Sequence, residues 1–364
     1  MKYRRLPHGN ELISTIGFGT SYIGGAPEGE TEATFELAFE KGINYVDLAS
    51  GHAETFPRLG NVLPAVRDKV YLQVYFGADY SSGKYGWTTD LEAIKRSVDW
   101  NLKNLKTDYI DFGFIHCIDE HKDLDDYLAS GALEYIKELQ AQGVVRRIGM
   151  SSHTPELVNR VLDMMPLDML MFSINPAYDY KKGTYGIGSV DERMSLYRRC
   201  EKEGVGISVM KSFSGGQLLD EKTSPFGKAL TRSQCIQYAL DKPGVLTVLP
   251  GYRNREDLLD VLRFNEQSAE EKDYSVIGTF APQDTNGVCV YCNHCAPCPI
   301  GLDVALINKY YDLSKAGDDM ARVHYKSLEL KAENCVGCGH CNSRCPFGVD
   351  QVARMQEIRE YFGE

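Results

Sequence analysis

Most of the sulfur in this chain sits in two short stretches near its C-terminus. The first runs Cys289-Val-Tyr-Cys292-Asn-His-Cys295-Ala-Pro-Cys298-Pro299, and the second Cys335-Val-Gly-Cys338-Gly-His-Cys341-Asn-Ser-Arg-Cys345-Pro346; together they hold eight of the eleven cysteines. The second reads C-x2-C-x2-C-x3-C-P, the spacing with which bacterial two-cluster proteins bind 4Fe–4S cubanes: three close thiolates share one cluster and the fourth ligates the other. By that rule Cys289, Cys292 and Cys295 share a cluster with Cys345, while Cys335, Cys338 and Cys341 share one with Cys298. The first run departs from the pattern in having two residues, not three, before its last cysteine. A zinc site would use separated C-x2-C pairs or a Cys/His mix, and disulfides need an oxidising compartment. Neither suits two runs that each end in Cys-Pro. Of the isolated cysteines, Cys200 and Cys235 read as inert buried thiols, and Cys117, beside His116, is the candidate for reactivity.

The elements that must carry this chemistry follow from size and pattern. A chain of 364 residues with 43% hydrophobic and 25% charged content suits a soluble globular protein of about two domains. The net charge of -11 argues against nucleic acid, whose phosphates need a basic face. No apolar run approaches the ~20 residues of a membrane span, and the basic start Met1-Lys-Tyr-Arg-Arg has no apolar region after it, so it is not a signal peptide. The expected location is the cytoplasm, in an anaerobic setting where exposed clusters survive.

Residues 1–270 alternate strands and helices. Expected strands are Thr15–Gly19, Asn44–Asp47, Val70–Tyr75, Tyr109–His116, Arg147–Ser151, Met169–Phe172, Gly206–Met210 and Leu246–Pro250. In Asp90–Leu105, Leu91, Ile94, Val98, Leu102 and Leu105 form one apolar stripe, with Thr88 or Thr89 as the expected cap. Glu192–Glu203 and Arg232–Asp241 read the same way. Eight such units predict a closed (β/α)8 TIM barrel. An open doubly wound sheet is the alternative, but Gly17-Phe-Gly19-Thr-Ser-Tyr22 lacks the G-x-G-x-x-G turn such a sheet normally shows. Barrel chemistry sits at the C-terminal ends of the strands. Those ends read Asp47 with Ser50-Gly-His52, Tyr75, His116-Cys117, Ser151-Ser152-His153 and Met210-Lys211, a convergence of titratable groups on one rim.

The first three-quarters of the chain resemble the aldo-keto reductase family. The resemblance rests on Met1-Lys-Tyr-Arg-Arg-Leu6 leading to Ile16-Gly-Phe-Gly19, on Gly42-Ile-Asn-Tyr-Val-Asp47, on Arg67-Asp-Lys-Val70, and on Asp108-Tyr-Ile-Asp-Phe112 to His116. It continues in Gly143-Val-Val-Arg-Arg-Ile-Gly-Met-Ser-Ser152 and Val248-Leu-Pro-Gly251. With its cysteine runs, the whole chain is similar to the branch of that family carrying a ferredoxin-type dicluster domain. The resemblance implies a barrel over 1–270, a helical dicluster ferredoxin-like domain over 271–364, and redox chemistry at the barrel mouth. The family's site is an Asp, Tyr, Lys and His tetrad serving a nicotinamide hydride donor. Asp47 and His116 match it; the Tyr position is His52 and the Lys position Tyr75. An unassisted Tyr, with a pKa near ~10, exchanges protons poorly at neutral pH, whereas His at ~6.5 needs no help. His52 is therefore the expected proton donor and Tyr75 a hydrogen-bonding partner, with Lys211 pairing Asp47 or gripping an anionic substrate.

The resemblance also bears on the cofactor. The family's Ser-Asn pair stands here as Ser152-His153, and its strand-six Gln aligns with Met171. The positions that would hold an adenosine phosphate read Gly251 and Asp257, with Arg253 and Arg255 close by. A carboxylate there would repel phosphate, which argues against NADP(H). The sequence neither supports nor excludes a flavin.

The tail should fold as helices Asp303–Lys315, Ala321–Ala332 and Val349–Tyr361 around the clusters. The expected function is that of an iron–sulfur oxidoreductase. A soluble carrier such as ferredoxin or flavodoxin would pass electrons through two 4Fe–4S clusters to a small organic substrate in the barrel mouth. The alternatives are an NAD(P)H-dependent aldo-keto reductase coupled to the clusters, and an electron-transfer or redox-sensing subunit without a substrate of its own.

Overall fold

Strands buried on both faces are what a parallel sheet wrapped in helices demands, and the apolar runs of this chain are buried at almost every position. The computed structural model describes residues 1–180, 183, 185–279, 289, 295–315, 319–345 and 348–364. In it, Ile-Asp-Phe-Gly-Phe-Ile at 110–115 and Met-Leu-Met-Phe-Ser at 169–173 are buried throughout. Eight parallel strands follow one another in chain order: β1 (Phe18–Gly19), β2 (Tyr45–Asp47), β3 (Tyr71–Phe76), β4 (Ile110–Ile115), β5 (Val145–Ser152), β6 (Met169–Ser173), β7 (Gly206–Met210) and β8 (Val245–Val248). Parallel bridges Ile16–Val248 and Gly19–Gly251 join the first strand region to the last and close the curled sheet. Gly17 N–H to Val248 O at 2.8 Å and Gly19 N–H to Pro250 O at 2.9 Å carry the closure. This is the expected (β/α)8 barrel, and among the described residues no open sheet edge is left for the doubly wound alternative.

Helices α1 (Glu28–Glu40), α2 (Thr55–Val62), α3 (Leu91–Leu105), α4 (His121–Ala129), α5 (Ala132–Ala141), α6 (Pro155–Met164), α7 (Val190–Glu203), α8 (Arg232–Leu240) and α9 (Arg255–Leu262) accompany the strands. The expected threonine cap of α3 is displaced by one element of chemistry. Asp90 caps it, its carboxylate accepting from Ala93 N–H at 2.8 Å, while Thr88 Oγ1 accepts from Asp90 N–H at 3.0 Å. The threonine thus holds the cap rather than being it. α7 opens with a reciprocal Ser189–Glu192 capping box and closes on Gly204 at φ 73°, the left-handed position glycine tolerates without strain.

The tail contributes α10 (Val304–Lys315), α11 (Asp319–Ser327) and α12 (Gln351–Phe362). The helix expected over Ala321–Ala332 stops at Ser327, and Ala332–Asn334 forms a separate tight turn. Ala332 N–H is taken by Tyr325 Oη at 3.2 Å, so it is withdrawn from the helical ladder. Tyr325 in turn stacks on Phe362 at 3.7 Å, pinning α11 to α12. A second apolar cluster joins tail residues Leu302, Ile307, Tyr311 and Ile358 to Tyr178, Tyr185, Leu218 and Phe226 from the barrel's loops. That shared core seats the tail over the strands' C-terminal ends. No helix among the described residues is long and apolar enough to cross a membrane.

Candidate active site

A cavity of about 410 Å³ opens at the C-terminal ends of the strands, where barrel chemistry is expected. Asp47, Tyr75, His116, Cys117, Asp119, Ser151, His153 and Met171 line its floor and one wall. Tyr310, Ala321 and His324 reach it from the tail, and Gly215, Gly216, Arg232, Gly251, Arg253 and Asp257 line a further arm. One continuous space therefore connects the tetrad positions, the tail and the loop after β8.

On the floor, Asp47 ends β2 fully buried. Its Oδ1 accepts from Gln73 Nε2 at 3.2 Å, from Ala49 N–H at 3.3 Å and from the Tyr75 hydroxyl. Burial raises its pKa to about 6, against the opposing pull of those donors. Burial and the Asp47 charge push the Tyr75 hydroxyl well above the ordinary tyrosine range, so Tyr75 keeps its proton and donates a hydrogen bond to Asp47. Met171 Sδ lies 2.8 Å from Tyr75 Oη. His116 stands edge-on to the Tyr75 ring at 4.6 Å, with Nε2 2.9 Å from Tyr85 Oη. Burial drives its pKa down to about 3, leaving a neutral imidazole.

Three expectations for this floor change. His52 is exposed, turned toward Gly24 and Gly25, and lines no part of the cavity. The loop after β2 folds back through Ser50 Oγ to Thr55 Oγ1 at 2.7 Å and Tyr80 Oη to Ser50 O at 2.8 Å, which carries His52 outward, away from the cavity where the proton donor is expected. Among the described residues no ion pair is seen between Lys211 and Asp47; Lys211, at φ 58°, places its Nζ 4.8 Å over the Tyr185 ring. Ser152 is fully buried and spends its hydroxyl on Ile118 O at 2.7 Å and Asp119 Oδ1 at 3.1 Å, so it stands behind the wall rather than in it.

The wall holds a residue the sequence reading passed over. Asp119, three positions beyond His116, accepts His153 Nδ1–H on Oδ2 at 2.7 Å and His153 N–H on Oδ1 at 2.6 Å. Its only sequence signal was proximity to a strand end. Against the cost of burial, the attraction and hydrogen bonds of His153 and the Lys309 charge hold Asp119 below the usual carboxylate range. His153 itself is shifted down, first by burial, with Lys309 and Lys211 adding to that against Asp119. Donor atoms of Cys117, Asp119 and His153 lie within 4.8 Å of one another, a reach one cation could span. The direct Asp119–His153 bond and the two neighbouring ammonium groups favour an ion-supported imidazole instead. Tyr310, Lys309 and His324 had no sequence signal for this site at all, since only tertiary docking brings α10 and α11 here.

In the third arm, Arg253 clamps Asp257 with Nε–Oδ2 at 2.7 Å and Nη2–Oδ1 at 3.0 Å. The carboxylate expected to repel a phosphate is thus already neutralised. Arg255 is turned away to Glu30 at 2.9 Å and leaves the cavity. Gly251 packs against Tyr22, whose ring would sit 2.7 Å from an added Cβ. Gly215 and Gly216 both hold positive φ, 65° and 93°, with open space where a Cβ would be.

Among the tail cysteines, Cys295 and Cys341 are buried, Cys289, Cys298, Cys335 and Cys345 are half-buried, and Cys338 is exposed. Cys292 lies outside the described residues. Burial raises the Cys341 thiol, and Cys335 and Cys338 are near enough to add to the shift. Cys200 and Cys235 are fully buried and pushed up to about 12 by burial, the inert thiols expected.

The sequence model of the Aldo/keto reductase family matches residues 15–233. An uncharacterized oxidoreductase, YqkF of Bacillus subtilis, is 28% identical over 310 residues, 78% of this chain and 98% of that one. The L-galactose dehydrogenase of Arabidopsis thaliana is 29% identical over 229 residues, 61% of this chain and 68% of the relative. The holo form of aldo-keto reductase AKR11C1 from Bacillus halodurans superposes with a TM-score of 0.62 at 22% identity, covering 77% of this chain and 96% of that structure; that likeness speaks to fold. With the closed barrel and the Asp47–His116 floor, these matches place the chain in the aldo/keto reductase family, as an oxidoreductase.

Proposed function

We propose that the barrel mouth interconverts a carbonyl and an alcohol at the expense of a nicotinamide nucleotide lying in the arm that ends at Arg253. The observation carrying this reading is the continuity of the cavity from Asp47 and Tyr75 to Arg253 and Asp257. The residues fit such a group. Positive-φ Gly215 and Gly216 leave room for backbone to approach a pyrophosphate, and Arg253 and Arg232 supply cations at the far end. Bound there, the nucleotide supplies or takes a hydride. The chain's own part is to shape the floor, exclude water beneath α10 and α11, and handle the substrate proton. Relatives named for L-galactose and L-glyceraldehyde 3-phosphate support polyhydroxy carbonyl substrates as the first to try.

A titration of the full-length protein with NADPH and NADH, followed by nucleotide fluorescence, tests the reading. Saturable binding to the parent, weakened about tenfold in Arg253→Ala, is expected; absence of binding by either nucleotide removes it.

A second reading is favoured by the cysteine runs. In it, residues 271–364 make a ferredoxin-type domain in which Cys289, Cys292, Cys295 and Cys345 would hold one 4Fe–4S cluster and Cys335, Cys338, Cys341 and Cys298 the other, and the pair would supply single-electron exchange with a soluble carrier such as ferredoxin or flavodoxin. Gly337 and Gly339, at φ 66° and 72°, allow the tight winding that Cys335, Cys338 and Cys341 need around one cubane, and Gln351 Nε2 lies 3.6 Å from Cys289 Sγ. Hydrogen bonds to cluster sulfurs tune potential. Tyr310 and His324 of the tail line the same cavity, which puts the tail beside the barrel mouth. Iron and sulfide analysis of anaerobically purified protein decides: about eight irons per chain are expected for two cubanes, and an iron-free preparation sinks the reading.

A further inference from the structure

With His52 outside the cavity and Tyr75 committed to Asp47, the substrate proton needs another partner. His153 directly follows β5, and Asp119 lies in the loop after β4, the neighbouring strand. Both oxygens of Asp119 are occupied by His153: Oδ2 by Nδ1–H at 2.7 Å and Oδ1 by the backbone N–H at 2.6 Å. Ser152 Oγ donates to the same Oδ1 at 3.1 Å, and Thr154 Oγ1 donates to Asp119 O at 3.3 Å. The imidazole is further fixed by stacking on Tyr185 at 4.1 Å with 19° between the rings. One atom of this assembly is left over. His153 Nε2 is buried, borders the cavity and has no hydrogen-bond partner among the described residues. An imidazole held by a carboxylate on one nitrogen, with the other nitrogen bare toward a substrate space, is how proteins build a base of fixed tautomer.

We infer that His153, oriented by Asp119, is the group that takes the proton from an alcohol substrate's hydroxyl, so that this barrel works as an alcohol dehydrogenase. The inference rests on the carbonyl–alcohol reading above and names the proton acceptor within it. In the step, the O–H bond breaks and its proton moves to Nε2. The adjacent C–H bond breaks and its hydrogen leaves as hydride to an oxidised nicotinamide nucleotide, which is reduced. The C–O bond becomes C=O, and the charge that forms on the imidazole is met by Asp119. His153 is the catalytic residue; Asp119, which never reaches the cavity through an oxygen not already bonded to His153 or Ser152, is a positioning residue.

The charged and titratable groups facing His153 set the direction. Asp119 comes from the β4 loop, His116 and Cys117 from the end of β4, Lys211 from the end of β7, Lys309 from α10, and Tyr185 from the loop after β6. Asp119 favours the protonated ring, whereas burial and the two lysines disfavour it and prevail. At neutral pH the resting imidazole is therefore neutral and ready to accept a proton, and the acid limb of oxidation should lie below the range of an ordinary histidine.

The test has two arms, both on the full-length protein. In the first, imidazole-15N NMR of the parent, with the His153 signals assigned by their loss in His153→Asn, should show Nε2 unprotonated and Nδ1 carrying the hydrogen at pH 7.5. Asp119→Asn should weaken or reverse that tautomer. A parent Nε2 that carries the hydrogen overturns the inference. In the second, a polyhydroxy alcohol, glycerol, is offered with NAD+ and with NADP+. His153→Asn should lower kcat at least a hundredfold, with KM and nucleotide affinity within about threefold of the parent, and added imidazole should restore part of the rate to His153→Ala. Asp119→Asn should lower kcat less and shift the acid limb of the pH profile. Undiminished turnover in His153→Asn, with the nucleotide bound normally, overturns the dyad and leaves the reading of the cavity standing. Failure of either nucleotide to bind strikes that reading instead, and the tautomer then judges the dyad by itself.

Discussion

The barrel and the tail share a cavity but not a means of holding themselves together. Every strand of the barrel pairs with two neighbours, the ring is closed by Gly17 and Gly19 against Val248 and Pro250, and one apolar core gathers residues from Leu6 to Phe264. The tail has no strand among its described residues, and its helices bury part of their apolar surface against barrel loops. Four of its described cysteines stay half-buried and one is exposed, which is unusual for thiols that serve only as packing. The difference teaches where the cohesion lies. The barrel is stabilised by its own polypeptide, while the tail leans on the barrel and, in the reading offered here, on metal–thiolate bonds.

The largest expected effect would break that contrast or establish it. If the tail's cysteines hold clusters, replacing Cys335 and Cys338 together by Ser in anaerobically purified protein should abolish one cluster's absorbance and unfold α10, α11 and α12, with loss of helical ellipticity. The barrel should still melt as one cooperative transition. A double variant whose ellipticity and melting match the parent would show the tail to be as self-sufficient as the barrel.

How far the sequence could be read follows the same division. Periodicity located all eight strands to within a few residues because each is a short apolar run between amphipathic helices, and the rim residues Asp47, Tyr75, His116, His153 and Lys211 followed from strand ends alone. His52 was misplaced because a loop's direction is decided by tertiary bonds such as Tyr80 to Ser50, which leave no periodic trace. Asp119 was missed because its role depends on a residue 34 positions away in the next strand's loop. The threat assigned to Asp257 dissolved for a local reason: Arg253 sits four residues before it, just ahead of the Asn254 cap of α9, and pairs with it. Tyr310 and His324 could not be foreseen, since nothing in the tail's pattern says which face of the barrel it covers.

A smaller effect probes the barrel floor through pH. Asp47 titrates at about 6 in the folded chain because it is buried, against ~3.9 in an unfolded chain. Between those values the folded state binds a proton that the unfolded state has already lost, so stability falls as pH rises through this window. Its contribution is complete below ~3.9 and gone above about 6. Two units at ~1.4 kcal/mol each bound the effect at roughly 2–3 kcal/mol. Asp47→Asn, which keeps acceptors for Tyr75 and Gln73, should flatten the urea-measured stability of the barrel between pH 4 and 7. A slope equal to the parent's would place the titrating group elsewhere.

The finest test uses two deletions matched in size. Ser189→Ala removes the Oγ that accepts Glu192 N–H at 3.1 Å at the head of α7, a cap worth about 1 kcal/mol. Tyr325→Phe removes the hydroxyl that donates to Glu364 at 2.7 Å and accepts from Ala332 N–H at 3.2 Å, also worth about 1 kcal/mol. If the two regions are stabilised independently, the first should shift only the barrel's transition and leave cluster absorbance unchanged. The second should hasten loss of the tail's helical signal on heating, and of cluster absorbance if clusters are held there, while the barrel's midpoint stays put. Calorimetry with visible absorbance read in parallel separates them. Equal shifts of a single shared transition in both variants would mean that the apolar seam around Tyr185, Leu218 and Ile307 couples tail and barrel into one folding unit, and that the tail's hold on the cavity is as firm as the strands' own.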